Sequence, residues 1–236
     1  MKNRLPLHAV HLRLLALALM LCDHLWATIV PGNDWMTFVG RLAFPIFAFQ
    51  IAEGYFHTSD FKRYTRRLLI FALISEIPFN LMMGSSLFYP FRQNVMFTLL
   101  LGLHGVRAVD RAKENGGWIR ALLMVLLVVA VGGITFVDYG APGVLTVIAF
   151  GALRHTKLEK PGQIAAMVLL HWVFMEGRVF PVGGMEIPEQ ALAIFALLPI
   201  WLYNGEKGPG SKALQMGSYV FYPAHMLILH LIRTFW

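Results

Sequence analysis

Charge is scarce in this chain. Only 14% of its 236 residues are Asp, Glu, Lys or Arg, against about 25% in an ordinary soluble domain. A soluble core of this size would show short apolar runs broken by charge, so the shortfall excludes one. Cysteine is nearly absent too. The one copy, Cys22, lies in an apolar run and rules out an internal disulfide. There is no cysteine cluster and no His-Glu-x-x-His, so the ligand spacing of a metalloenzyme is missing and no metal is expected. The alternation over about ten residues that a membrane-spanning barrel needs is missing as well.

What the chain has is long apolar runs. Hydrophobic residues make up 57% of it. The run 12–30 is interrupted only by Arg13, Asp23 and His24, and the run 121–137 carries no charge. Both approach the length of about 17 to 25 residues that crosses a bilayer as a helix. The spacing predicts an all-α, polytopic integral membrane bundle of about nine transmembrane helices, at 9–30, 36–56, 66–83, 91–109, 118–137, 141–155, 162–176, 188–204 and 217–235. The connections carry turn residues such as Pro31-Gly32-Asn33-Asp34 and Asn115-Gly116-Gly117. None has room for a soluble domain, so residues 1–236 read as one transmembrane domain. The start (Lys2, Arg4, then apolar residues) is weakly like a signal peptide. Its apolar stretch is too long, and it reads as a retained first helix.

The formal net charge of +7 does not indicate a nucleic-acid partner, because the basic residues fall in clusters between apolar segments. With the N-terminus in the cytoplasm, the inner segments hold Lys2, Arg4 and Arg13; Lys62, Arg63, Arg66 and Arg67; Arg107, Arg111, Lys113 and Arg120; Arg154, Lys157 and Lys160; and Lys207 and Lys212. Only Arg41, Arg92, Arg178 and Arg233 are left elsewhere. That bias is the positive-inside rule.

Ionisable side chains inside such helices cost roughly 2.5 to 3.5 kcal/mol each on insertion scales, so each requires a reason. The candidates are Asp23, His24, Arg41, Glu53, Glu76, His171 and His225, with Gln50, Asn80, Gln93, Asn94 and Tyr222 as polar neighbours. Arg13 and His24 are eleven residues apart, about 20° around a helix and about 16 Å along it, and so share a face. Pro45 kinks the second span near Arg41. Glu76 and Asn80, and likewise Tyr222 and His225, share helix faces. For Glu53, Arg41 and Glu76 an ion pair that glues helices is the competing reading. His104, His171 and His230 read as structural. Asp23-His24 is costly as structure and suited to chemistry, since imidazole titrates near neutrality and is the usual general base.

These blocks resemble a known family. Ala18-Leu19-Met20-Leu21-Cys22-Asp23-His24, the stretch from Gly40-Arg41-Leu42-Ala43-Phe44-Pro45 on to Glu53-Gly54, and Ser75-Glu76-Ile77-Pro78-Phe79-Asn80 are similar to the TraX membrane acetyltransferases. So are Asn94-Val95-Met96-Phe97-Thr98 and Phe221-Tyr222-Pro223-Ala224-His225. Residues 110–215 carry no such block. The family's founding activity is N-terminal acetylation of a pilin from acetyl-CoA. It also resembles wider transmembrane acyltransferases of surface sugars, which carry a basic residue eleven positions before a catalytic histidine. The resemblance implies His24 as the catalytic residue, with Asp23 orienting it. It carries Arg13 over toward the CoA phosphates; Arg41 and Glu53 are set with it toward acetyl-CoA, and Glu76, Asn80, Gln93, Asn94, Tyr222 and His225 toward substrate or transition state, with Arg41 or the Gln93-Asn94 amides expected to stabilise the oxyanion. It implies a multi-pass protein of the bacterial inner membrane, in contact with lipid. Its co-substrate would be acetyl-CoA, and its acceptor a protein amine or glycan hydroxyl at the outer face; a homo-oligomer is compatible. A small proton-coupled transporter, using the buried Asp, Glu and His as a relay, is the alternative.

Overall fold

The computed structural model of the chain describes residues 6–175, 177–210 and 212–235. Lys2, Arg4 and the side chain of Lys212, counted above with the inner charges, lie outside the described residues. The protein is a mostly helical bundle with an apolar exterior.

The first helix, α1 (Ala9–Thr28), is rich in leucine and alanine and holds no glycine or proline. It stops just before Pro31 and Gly32, where Gly32 turns with φ +95°. The next span does not form one helix. It is split into α2 (Asp34–Gly40) and α3 (Ala43–Phe56) by a turn at Arg41-Leu42. The cause is Pro45. It has no N–H for the carbonyl of Arg41 four residues back, and its ring clashes with that carbonyl. The kink expected here therefore falls on Arg41 itself.

The hairpin of α4 (Phe61–Gly84) and α5 (Val95–Asn115) follows, each helix with a side-chain cap. Asp60 accepts from the Arg63 amide at 2.9 Å, and Asn94 accepts from the Met96 amide at 3.1 Å. Then come α6 (Trp118–Ile134), α7 (Gly140–Leu153) and α8 (Glu159–Met167). The last runs on into a π-helical turn, Val168–Val173, that carries His171. A 3₁₀ segment, Glu189–Ala196, leads into the short α9 (Leu197–Trp201), and α10 (Lys212–Phe235) closes the chain.

Each of the nine predicted spans falls on helical backbone, but they differ in kind. By length and composition α1, the α2–α3 pair and α4 are long and apolar enough to cross a membrane. The segments α7, α8 with its π turn, and the 3₁₀ segment with α9 are shorter than the expected crossing length. The all-α expectation is corrected at one place. Between the π turn and the 3₁₀ segment lies an antiparallel hairpin, β1 (Val179–Val182) paired with β2 (Met185–Pro188). Its turn is Gly183-Gly184, with φ +56° and +85°. Two positive φ values in a two-residue loop are what an antiparallel hairpin favours, and only glycine adopts them freely. Val-Phe-Pro-Val-Gly-Gly-Met-Glu-Ile-Pro therefore carried a hairpin signal within a helical chain.

Helix α3 is the axis. Ala43, Phe44, Ile46, Ala48, Phe49 and Ala52 are buried against α1, α5 and α7. Helix α6 is peripheral and turns Ile119, Leu122, Leu123, Leu126 and Leu127 outward, as a lipid-facing helix does. Without water to drive helices together, close approach of small residues supplies the packing. A Cβ added at Gly102 of α5 would overlap the Cβ of Val147 on α7. Val147 is β-branched and its Cβ cannot rotate away. We expect Gly102→Ala to destabilise the bundle by about 1 to 3 kcal/mol, despite alanine's better helix propensity. Thermal unfolding in nanodiscs checks it; an unchanged midpoint would mean that α5 and α7 do not pack this closely.

Candidate functional site

Residues 13, 17, 20 and 24 form one stripe on α1, because steps of four, three and four residues return to one side of a helix. Three adjoining spaces line up along this stripe.

The first is about 550 Å³ and lies at the Arg13 end. Its walls include Arg13, Gln50, Glu53, Arg67, Tyr219 and Lys207. The Arg67 guanidinium stacks against Tyr64 and Tyr219, 5.4 and 5.2 Å from the ring centres. Its Nε is buried and, among the described residues, has no hydrogen-bond partner. The one carboxylate among the described residues of this wall, Glu53, is held bidentately by Arg154 at 2.7 and 3.0 Å and meets His57 at 2.9 Å. The wall is thus net basic. The second space, about 120 Å³, is a narrow neck sharing Arg13, Gln50, Tyr64 and Tyr219 with the first. The neck shares Met20, Phe47, Val95 and Tyr222 with the third space.

The third space is the largest, about 760 Å³, and holds His24. Asp23 does not touch the His24 imidazole. Its carboxylate accepts from Arg41 Nη2 and, at 2.8 Å, from the Thr37 hydroxyl. A Cβ at Gly40 would fall 2.5 Å from the Asp23 Cβ, so the bare glycine lets α2 come this close. The partner of His24 is His225 on α10, whose Nε2 lies 2.7 Å from His24 Nδ1. Arg41 also contacts the Gln190 amide oxygen at 3.5 Å. The amide nitrogen of Gln190 meets His171 Nδ1 at 3.0 Å, and His171 Nε2 meets Thr146 Oγ1 at 3.0 Å. The structural reading of His171 therefore has a concrete form. It is buried, and it braces Gln190 behind Arg41.

The other sequence candidates divide. Tyr222 lines the cavity and the neck. Glu76, Asn80, Gln93 and Asn94 are not in the cavity wall. Asn94 caps α5 and gives its side-chain amide to Glu76 at 2.6 Å and to the Ala72 carbonyl at 2.8 Å, which ties α4 to α5. The Oδ1 of Asn80 is buried without a partner. Gln93 acts through its backbone. It donates to the Phe136 carbonyl and accepts from the Asp138 amide, both at 2.9 Å. The expected oxyanion role for the Gln93-Asn94 amides has no geometric basis here, because the Gln93 side chain donates to the Pro90 carbonyl at 2.6 Å and that of Asn94 to Glu76 and Ala72.

That Gln93 bridge sets Arg92 beside Asp138, 3.8 Å apart, at the cavity edge. Burial raises the Asp138 carboxyl above its ordinary range, against the pull of Arg92 and Arg41. Next to it Tyr139 has φ +64°, a conformation costly for a bulky residue. Its ring stacks on Phe44 with centres 3.9 Å apart. Arg178 completes the edge, 3.3 Å from Asp34 and 3.2 Å from Glu189. Sequence reasoning missed Arg92, Asp138, Tyr139, Arg178 and Gln190 as site residues. One signal was present. Of the four basic residues outside the inner clusters, Arg41, Arg92 and Arg178 converge on this one cavity.

A bundle of apolar helices enclosing paired arginines, carboxylates and histidines defines a helical membrane protein built around a polar interior. The chain belongs to the TraX family: the family model described as TraX protein matches residues 9–233. It is also similar to a protein of Dichelobacter nodosus described as a probable fimbrial assembly protein FimC, serogroup H1. The two are 29% identical over 254 residues, which takes in 100% of this chain and 99% of the relative. No solved structure matches the chain.

Proposed function

We propose that the protein is an acetyl-CoA-dependent acetyltransferase of the bacterial inner membrane. In this reading the chain crosses nine times, its Arg13 end faces the cytoplasm, and His24 is the base. The observation that carries it is the stripe on α1. Arg13, Leu17, Met20 and His24 run in sequence along a basic space, an apolar neck and a polar cavity.

The basic space suits the phosphates of CoA, with the unpartnered Nε of Arg67 and the Arg13 guanidinium as donors. The distance of about 16 Å from Arg13 to His24 is of the order of a pantetheine arm's reach. The acceptor enters the larger cavity from the outer side. His24 removes its proton as it attacks the thioester, and Arg41 at the helix break stabilises the oxyanion that develops. The name of the Dichelobacter relative favours a fimbrial or pilin subunit amine as acceptor. A surface-glycan hydroxyl is the second chemical class this cavity admits.

The test is acetyl-CoA binding and CoA release by the purified chain in nanodiscs, with membrane extract as acceptor. CoA release that depends on extract supports the reading. The absence of both binding and release would overturn it in favour of the proton-coupled transporter. In the same assay Arg67→Ala should raise KM for acetyl-CoA about tenfold and leave kcat nearly unchanged, because a phosphate contact far from the thioester holds ground state and transition state alike. A fall in kcat with KM constant would place the nucleotide elsewhere.

A further inference from the structure

His24, which lines the large cavity, and its partner His225 determine each other's tautomer. His225 Nδ1 lies 2.8 Å from the Phe221 carbonyl. A carbonyl only accepts, so this nitrogen carries hydrogen. His225 Nε2 and His24 Nδ1 are 2.7 Å apart, with the ring planes 7° from parallel, so one hydrogen lies between them. It belongs to whichever ring is the donor. Among the described residues neither ring meets a carboxylate, since Asp23 is engaged by Arg41 and Thr37. A buried imidazolium with no carboxylate beside it is costly, so His225 stays neutral and its Nε2 accepts. The hydrogen is then on His24 Nδ1. Among the described residues His24 Nε2 has no hydrogen-bond partner, which leaves its lone pair for the cavity that the ring lines.

We propose that His225 is a positioning residue that fixes His24 in the Nδ1–H tautomer, with the helical carbonyl of Phe221 as the fixed reference. The consequence for catalysis rests on the reading of His24 as the base. As the acceptor nitrogen or oxygen bonds to the thioester carbon, its proton passes to His24 Nε2. The C–S bond breaks, its electron pair leaves with sulfur, and Nε2 returns that proton to the thiolate. The opposite tautomer has Nε2 already protonated and cannot begin this cycle. While His24 is transiently cationic, the Nδ1–H bond to His225 strengthens. This is the part a carboxylate plays in a catalytic triad, filled here by a neutral imidazole anchored to backbone.

The deciding experiment is long-range proton–nitrogen NMR of ¹⁵N-histidine-labelled full chain in nanodiscs, with His24→Gln to assign the signals. Wild-type His24 should show a protonated, pyrrole-type Nδ1 and a bare, pyridine-type Nε2. A His24 protonated at Nε2, or at both nitrogens, overturns the proposal. Because this readout needs no turnover, it separates the two ideas. An Nδ1–H His24 in a protein that never turns over acetyl-CoA upholds the tautomer lock and removes the acetyltransferase reading. In an active preparation His225→Phe should lower kcat about 100-fold with KM for acetyl-CoA unchanged. His225→Gln, whose amide oxygen still accepts from His24 Nδ1, should keep most of the activity. Equal losses in the two variants would make His225 a packing residue and overturn its positioning role. The wild-type spectrum stands alone should His225→Phe fail to fold.

Discussion

Under the proposed acetyltransferase reading, His24→Ala is expected to reduce acetyl transfer by at least about 10³-fold, with acetyl-CoA still bound. The magnitude follows from what is removed. General-base catalysis by a placed imidazole contributes about 10² to 10⁴. Here the lost ring also takes the Nδ1 end of the His225 pair with it. Binding should survive because the residues proposed to hold the CoA phosphates, Arg13 and Arg67, line the space beyond the neck. Calorimetry with acetyl-CoA, run beside single-turnover release of CoA, separates the two effects. Loss of affinity in the variant would show that His24 belongs to the binding surface, and undiminished turnover would place the base elsewhere.

The second large effect is on stability. Arg41→Ala strips the Asp23 carboxylate of its cation, leaving the Thr37 hydroxyl as its remaining partner among the described residues, at 2.8 Å. Both side chains of the ion pair are about one-fifth exposed. Breaking such a pair from one side typically costs about 3 to 5 kcal/mol, because a charge stays behind in a poorly solvating place. We expect Arg41→Ala to lower the thermal midpoint sharply. Asp23→Asn/Arg41→Gln replaces the charges by amides that still hydrogen-bond, and should regain most of that loss. The double-mutant cycle gives the coupling directly. If the double variant is no more stable than Arg41→Ala, the pair does not govern stability, and its role lies in the chemistry alone. Arg41 also touches Gln190 and through it His171, so part of the cost passes to the π-helical turn.

The elements were legible along the chain for a simple reason. In lipid every backbone group must be satisfied within its own segment, so apolar runs fold as helices whatever their neighbours do. That rule placed helical backbone at all nine expected stretches, and Pro45 marked the break beside Arg41. The stripe from Arg13 to His24 was legible because helical periodicity is a property of one segment. The tertiary structure decided which charge meets which. Adjacent in sequence, Asp23 and His24 point apart on the helix, and they take partners from different elements: Arg41 and Thr37 for the one, His225 on α10 for the other. Glu76 and Asn94 looked like chemistry in one dimension and serve as a clasp between α4 and α5 in three. Asp138 and Tyr139 carried no recognisable pattern, and Arg92 only its place outside the inner charge clusters. They reach the cavity through a backbone bridge between two loops, Gln93 to Phe136 and Asp138, and backbone hydrogen bonds between distant loops depend on no particular side chain. Sequence by itself determined the helices and the faces they offer. Only packing settled the partners, because a buried charge goes to whichever counterpart the fold brings within reach.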